Sequence, residues 1–286
     1  MIQIEQLRYV RLGTPDLDGA CDFATRVLGL QPVGRDDDQA WFRSDSRDHT
    51  LCYVRGEASE QTLGIELRDG DALARAEQEL RAAGLPVARG DPATNAARRV
   101  QDHLTVTPEG GPHVDLVVRP LHSGWRYFPS RDAGIAGFHG VALRVRQPAE
   151  ALAFWTGIMS GQVSDYVGHS AYVRTDAAHH RLTLYESKHS GLMEVQFAVE
   201  GIDQLMQDSY WLQAAQVPVA HGPGRRPASQ ENFISMRGPD GMLFGLVTKG
   251  DDVTGSDHLP RQFRHTAQSF CAWGSRSEVP EWMAGD

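Results

Sequence analysis

Lysine is nearly absent from this chain: Lys188 and Lys249 are the only two among 28 basic side chains. Acidic residues number 37, and the formal net charge is −9. Proteins that bind nucleic acid concentrate basic residues on one face. The composition therefore predicts that nucleic acid is not a partner.

Cysteines and long apolar runs are also scarce. The three cysteines, Cys21, Cys52 and Cys271, form no CxxC motif and no cluster with histidine, which predicts free thiols in a reducing compartment. No run approaches the ~20 apolar residues that cross a membrane, and the N-terminus lacks the pattern of a signal peptide. We therefore expect a cytoplasmic protein without a membrane partner.

Common nucleotide-binding and hydrolase motifs are missing as well. The chain contains no Walker motif, no GxGxxG followed by a helix and no GxSxG. These motifs position a phosphate-binding loop or a serine nucleophile. The sequence thus gives no support to a nucleotide-binding enzyme or a serine hydrolase.

What the chain does contain is a long-period repeat. The step Pro-Val-Ala occurs at 86–88 and again at 218–220, and each copy is followed by a similar closing strand, at 113–118 and 243–248. Repetition at long period indicates duplicated supersecondary units.

Hydrophobic periodicity divides the chain into four units of one shape, each a strand, a helix and two or three returning strands. The opening strands are predicted at 7–12, 62–67, 137–143 and 191–199. This order predicts an α+β fold with antiparallel or mixed sheets. We expect an N-terminal domain at 1–120, a C-terminal domain at 136–250 and a tail at 251–286 whose aromatic residues pack on a sheet face or a subunit contact.

Several of these segments resemble one known family. They are Gly-Phe-His-Gly-Val-Ala-Leu at 137–143, His-His-Arg-Leu-Thr-Leu at 179–184, Gly-Leu-Met-Glu-Val-Gln-Phe-Ala-Val at 191–199, Gly-Pro-Asp-Gly-Met-Leu-Phe-Gly-Leu-Val at 238–247 and Ala-Trp-Gly at 272–274. In this order they are similar to the vicinal oxygen chelate superfamily (the glyoxalase, bleomycin-resistance and dioxygenase group), and within it to the two-domain type I extradiol ring-cleaving dioxygenases.

The resemblance implies two domains, each made of two βαβββ modules with cupped mixed sheets, in a homo-oligomer. It implies that the N-terminal domain carries no metal. In the C-terminal domain it implies a non-haem Fe(II) held by two histidines and one glutamate, an arrangement that leaves positions open for catecholate and O2.

This chain departs from the implied ligand set. The first histidine falls on His139, the second falls on Glu194, and the glutamate falls on Gly245. The resemblance also places the acid/base histidine of the family on His180 or its neighbour His179. Two further pocket positions, a histidine and a tyrosine in the family, fall on Arg226 and Ser235.

The residues themselves lead to a candidate site. We expect Glu194 to be buried and paired with His139, because an unpaired buried carboxylate is costly. His139, Glu194 and His180 are the candidate catalytic residues, and His139 and Glu194 are the candidate metal ligands. The candidate substrate-binding residues, of which His221 and Arg226 are expected on a loop, are Arg226, His179, Ser235 and His221.

Three functions remain open. The first is an extradiol-dioxygenase-like enzyme of aromatic catabolism that binds Fe(II) or Mn(II) through an altered ligand set and acts on a catecholic, phenolic or enolic substrate. The second is a metal-free isomerase, decarboxylase or C–C hydrolase that uses His139 and Glu194 as acid and base. The third is a non-catalytic protein that binds a small molecule.

Overall fold

The computed structural model describes residues 1–255 and 258–283, which form two sheets flanked by short helices. The predicted α+β fold of four βαβββ modules is confirmed. Within the described residues, no helix is long and apolar enough to cross a membrane.

The first sheet contains eight strands in the order β2-β3-β4-β1-β5-β8-β7-β6. Its strands are β1 Gln6–Thr14, β2 Gln31–Arg35, β3 Gln39–Arg43, β4 Leu51–Arg55, β5 Gln61–Glu66, β6 Val87–Arg89, β7 Asp102–Val106 and β8 His113–Val118. The opening strands β1 and β5 pair antiparallel at the centre, and each pairs in parallel with the last strand of its own module.

The second sheet repeats this arrangement in the order β14-β15-β16-β13-β9-β12-β11-β10-β17. Its strands are β9 Ile135–Val145, β10 Gln162–Val167, β11 Ser170–Arg174, β12 Leu182–Glu186, β13 Gly191–Val199, β14 Val219–Arg225, β15 Asn232–Arg237, β16 Leu243–Val247 and β17 Arg261–Phe263. Strands β9 and β13 pair antiparallel at its centre.

Each module carries one α-helix after its opening strand, and the described part of the chain has two further short α-helices elsewhere. The helices are α1 Leu17–Asp22, α2 Gly70–Ala82, α3 Pro92–Arg98, α4 Pro148–Ala153, α5 Ile202–Ala214 and α6 Ala267–Phe270. Asp16 caps the N-terminus of α1, since its side chain accepts a hydrogen bond from the Gly19 amide at 2.9 Å. Helices α1 and α4 each continue as a π-helical turn.

Two segments differ from the simplest expectation. Residues 221–225, expected as loop, lie in strand β14, and the chain turns only at Arg226. The tail contributes β17 to the edge of the second sheet, parallel to β10. It also buries Phe270 and Trp282 against Tyr185, so this part of the tail packs on a sheet face. The domain boundaries at 120, 136 and 250 stay a prediction.

Candidate functional site

Three buried side chains, His139, His180 and Glu231, meet in the second half of the chain. His139 lies on β9, which runs parallel to β12 with Val141 opposite Leu182. His180 precedes Leu182 by as many residues as His139 precedes Val141, so the parallel register brings the two histidines side by side. Their ring centroids are 5.8 Å apart.

The close approach of these two strands depends on Gly140. A Cβ at this position would lie 2.4 Å from the carbonyl oxygen of Arg181, so a side chain would push the strands apart. The amide of Val141 donates a hydrogen bond to the same carbonyl at 2.9 Å. Glycine is therefore required at position 140, beside His139, so that the two strands lie close enough to bring His180 next to His139.

Glu231 joins the histidines from the turn between β14 and β15. The turn is closed by a hydrogen bond from the Arg226 amide to the Glu231 carbonyl, at 2.8 Å. Strand β15 lies three strands from β9 in the sheet order, so the sheet must curl to bring the groups together. Glu231 Oε1 lies 3.0 Å from His139 Nε2, and Oε2 lies 3.7 Å from His180 Nε2.

Sequence reasoning did not single out Glu231. It lies in a polar Ser-Gln-Glu-Asn stretch that follows the expected loop of His221 and Arg226, and acidic residues in such segments are usually exposed. Here it is 1% exposed. The one sequence feature that indicates an inward-pointing side chain is the position of Glu231 next to the start of a strand.

Burial and charge set the protonation of this triad, a name used below for His139, His180 and Glu231. Burial lowers the pKa of His180 to about 3, which leaves its imidazole neutral. Burial alone would raise the pKa of Glu231, but the neighbouring His180, His139 and Arg226 outweigh it and hold that pKa well below its usual range. The triad therefore offers a neutral imidazole and an ionised carboxylate at neutral pH.

Residues behind His180 fix its orientation. His179 Nδ1 lies 3.2 Å from His180 Nδ1, and His179 Nε2 lies 2.9 Å from Asp165 Oδ2. Hydrogen bonds from His179 and Arg261 lower the pKa of Asp165 to about 2, against the effect of burial. A carboxylate supporting histidine in this way is typical of the surroundings of metal-binding histidines.

The triad fits a divalent metal ion. Its donor atoms all lie within 4.8 Å of one another, and two imidazoles with one carboxylate form a set suited to non-haem Fe(II). Within the described part of the chain, Nε2 of His139 and of His180 make no aligned hydrogen bond although both are buried. Buried nitrogen atoms without partners are costly, and a bound cation would satisfy both.

Glu194 is buried, as predicted, but it does not contact His139. Its Oε1 accepts a hydrogen bond from Ser235, and its Oε2 accepts one from Gln196 at 2.7 Å. Arg226 Nη2 lies 3.6 Å from the same Oε2. The expected His139–Glu194 pair is therefore wrong. The physical reason is that Arg226 and Ser235 supply the charge and hydrogen bond that a buried carboxylate needs, and Glu231 takes the place beside His139.

The other substrate-binding candidates lie in different places: His179 lies behind His180, Ser235 and Arg226 contact Glu194, and His221 contacts neither group. Arg226 is buried, stacks over Phe233 at 4.3 Å and donates to the Tyr185 hydroxyl at 3.2 Å, so it is no solvated loop residue. His221 lies away from the triad, between Phe233 and Trp282, with its pKa lowered to about 4 by burial. Among the candidates, only His139 and His180 belong to the triad.

Gly245 makes room for Glu194. A Cβ at position 245 would lie 2.9 Å from Glu194 Oε1 and 3.1 Å from Gln196 Cγ. A carboxylate side chain at 245 and one at 194 thus compete for one volume. This pairing explains how both departures from the resembled ligand set occur together.

We predict that Gly245→Ala lowers the free energy of unfolding by about 1–3 kcal/mol, because the added methyl overpacks a dry site. The effect should be smaller in a Glu194→Ala background, giving a positive coupling in a double-mutant cycle of urea melts. Gly157→Ala is the matched control, since no atom lies within 4 Å of its added Cβ. Equal costs in both backgrounds would contradict the shared volume.

Comparison with known proteins agrees with this architecture. The profile of the Glyoxalase/Bleomycin resistance protein/Dioxygenase superfamily matches residues 6–110 and 137–246. The chain is 29% identical over 173 residues to the biphenyl-2,3-diol 1,2-dioxygenase of Pseudomonas sp. strain KKS102. It is 28% identical over 176 residues to the 3-methylcatechol 2,3-dioxygenase of Pseudomonas putida. These matches span 58% of this chain and 59% and 60% of the two relatives.

Solved structures match over nearly the whole length. A halotolerant catechol dioxygenase superposes with a TM-score of 0.87 at 19% identity, covering 100% of this chain and 98% of that one. A Mn(II)-bound glyoxalase from Novosphingobium aromaticivorans gives 0.88 at 20% identity, covering 100% and 96%. At this identity the likeness shows the fold. With the profile matching both halves, the chain belongs to the Glyoxalase/Bleomycin resistance protein/Dioxygenase superfamily.

Proposed function

We propose that this chain is a metal-dependent enzyme of the extradiol-dioxygenase type, acting on a catecholic or related phenolic substrate in aromatic catabolism. The observation that carries the proposal is the triad: His139, His180 and Glu231 place three buried donor atoms within 4.8 Å. The names of the relatives support the substrate class. The matched part is about three fifths of each relative, so their activity comes to this chain as a proposal.

The triad would hold Fe(II) or Mn(II) at the inner end of a cleft. The metal would supply Lewis acidity and open coordination positions for a diol and O2. His180 is held neutral by burial, which keeps its lone pair free for a cation. Asp165 and His179 keep the His180 ring in place. His180, His139 and, to a smaller extent, Arg226 hold the pKa of Glu231 below its usual range against the effect of burial.

The test is metal content followed by oxygen consumption. Protein purified without a His-tag or chelator, and a second sample loaded anaerobically with Fe(II), should each contain about one metal ion per chain, as one such triad allows. The loaded sample should consume O2 with catechol or 3-methylcatechol and release a ring-opened product. If neither sample retains metal after desalting, the proposal is wrong.

A specific contact supports a second candidate, a metal-free acid/base enzyme. Arg181 Nη1 lies 3.3 Å from His139 Nδ1 and 3.0 Å from the His139 carbonyl oxygen. A neutral imidazole that accepts at Nδ1 carries its proton on Nε2, which here faces Glu231. This tautomer would suit proton transfer between His139 and an enol or phenol rather than metal binding.

His139→Ala separates the remaining functions. If a metal-free enzyme is correct, the variant loses turnover of an enolic or phenolic substrate, while the wild-type protein shows no metal dependence. If the protein only binds small molecules, ligand binding persists in the variant and no substrate is turned over by either form. Calorimetric binding with parallel turnover assays distinguishes these results.

A further inference from the structure

A cleft of 510 Å³ opens on the triad. His139 and Glu231 line its inner end, and small apolar side chains form part of its wall. These wall residues are Ala136, Ala177, Ala178, Ala198 and Val199. A wall of alanines leaves room for a flat ring against it.

The outer part of the cleft is acidic. Four carboxylates line it, those of Asp176, Glu200, Asp251 and Asp252, against two cations, Arg181 and Lys249. Both cations are already engaged: Arg181 with Asp176 at 2.8 Å, and Lys249 with Asp252 at 2.6 Å. Glu200 and Asp251 are exposed at the mouth. Among the described residues that line the outer part of the cleft, no cation is free of an ion pair, so an anion entering here would meet like charge.

A buried polar group at the inner end indicates where a ligand would be directed. His139 is 7% exposed and lines the cleft, and its Nε2 makes no aligned hydrogen bond among the described residues. Away from the cleft, Arg226 is covered by Phe233 and by Trp282 of the tail. The cleft thus combines an open path, an apolar wall and, at its inner end, a buried imidazole beside the Glu231 carboxylate.

We infer that the substrate enters through this cleft and that the acidic mouth selects diols without a carboxylate, admitting uncharged or amine-bearing catechols. The inference rests on the proposed function and adds its substrate class. Like charges facing each other disfavour association, and the effect weakens as salt screens exposed charges. A carboxylated catechol should therefore bind more weakly than an uncharged one, and an amine-bearing one should bind at least as well.

The experiment measures equilibrium binding to Mn(II)-loaded protein under anaerobic conditions, so that no turnover intervenes. The probes are catechol, 4-(2-aminoethyl)catechol and 3,4-dihydroxybenzoate. We expect 3,4-dihydroxybenzoate to bind at least about tenfold more weakly than 4-(2-aminoethyl)catechol at low salt. This difference in affinity, called the affinity gap below, should become smaller at high salt. In the Glu200→Lys variant the affinity gap should also be smaller than in the wild-type protein at low salt.

Glu5→Lys is the matched control, because it makes the same charge change at an exposed position in the N-terminal half. It should leave the affinity gap unchanged. Equal or tighter binding of 3,4-dihydroxybenzoate, an unaltered affinity gap in Glu200→Lys, or binding of none of the three probes would each overturn the inference. The metal content of the same samples decides separately whether the proposed function stands.

Discussion

Glu231→Gln is expected to weaken Mn(II) binding about a hundredfold. Four-ligand structural zinc sites have binding free energies of roughly 10–16 kcal/mol, or about 3 kcal/mol per ligand, and that amount corresponds to about a hundredfold in affinity. Glutamine fills the same space as Glu231 but removes the only carboxylate of the triad. Competition with a chelator under anaerobic conditions would measure the change.

Glu194→Gln is the matched comparison, since it makes the same chemical change in the same half of the chain. Glu194 takes the position of a metal ligand in the resembled family, but it is hydrogen-bonded to Ser235 and Gln196. Its variant should keep Mn(II) affinity within a few fold. If Glu194→Gln lost the metal and Glu231→Gln kept it, the ligand set would be the one suggested by the sequence and not the triad.

Arg226→Met should lower the free energy of unfolding by about 3–5 kcal/mol, the second large effect we expect. Removing one partner of a buried ion pair leaves the other charge without compensation. Arg226 and Glu194 are 1% and 0% exposed, and their charged groups lie 3.6 Å apart. Methionine retains most of the packing against Phe233, so the loss reports on the charge and on the hydrogen bond to the Tyr185 hydroxyl. Urea unfolding monitored by tryptophan fluorescence would measure it.

Two further variants make this result interpretable. Arg225→Met removes the neighbouring exposed guanidinium and should change stability by no more than about 0.5 kcal/mol. Arg226→Met combined with Glu194→Gln removes both charges and should cost less than the sum of the single changes. A mild effect of Arg226→Met alone would mean that Glu194 is not held by this pair.

Most of the fold could be predicted because its signals are local. The closing strand at His113–Val118 and the opening strand at Gly191–Val199 have the bounds that periodicity gave. Short strands were harder. Strand β14 contains Gly-Pro-Gly at 222–224, residues that usually indicate a turn. It lies at the edge of its sheet, where proline is tolerated because no ladder hydrogen bond is lost.

The candidate site was only partly predictable, because its members come from distant segments. His139 and His180 could be named since each lies in or beside a strand that matched the family pattern. Their adjacency follows from parallel pairing of β9 and β12. Glu231 could not be assigned to the site from the sequence, since the direction of its side chain depends on how strongly the sheet curls. Glu194 and Arg226 were both named, yet their pairing depends on a turn that brings Arg226 inward.

The shared volume of Glu194 and Gly245 also restricts how this protein can change over generations. A side chain at 245 would force Glu194 to shift, since a Cβ there would lie 2.9 Å from its carboxylate oxygen. Losing Glu194 first would remove the carboxylate that lies 3.6 Å from Arg226 Nη2, which lowers the stability of the fold. Each single change toward the ligand set of the resembled family therefore passes through a less stable protein. The combination of Glu194 and Gly245 is therefore favoured by the stability cost of changing either residue alone, whatever reaction the protein performs.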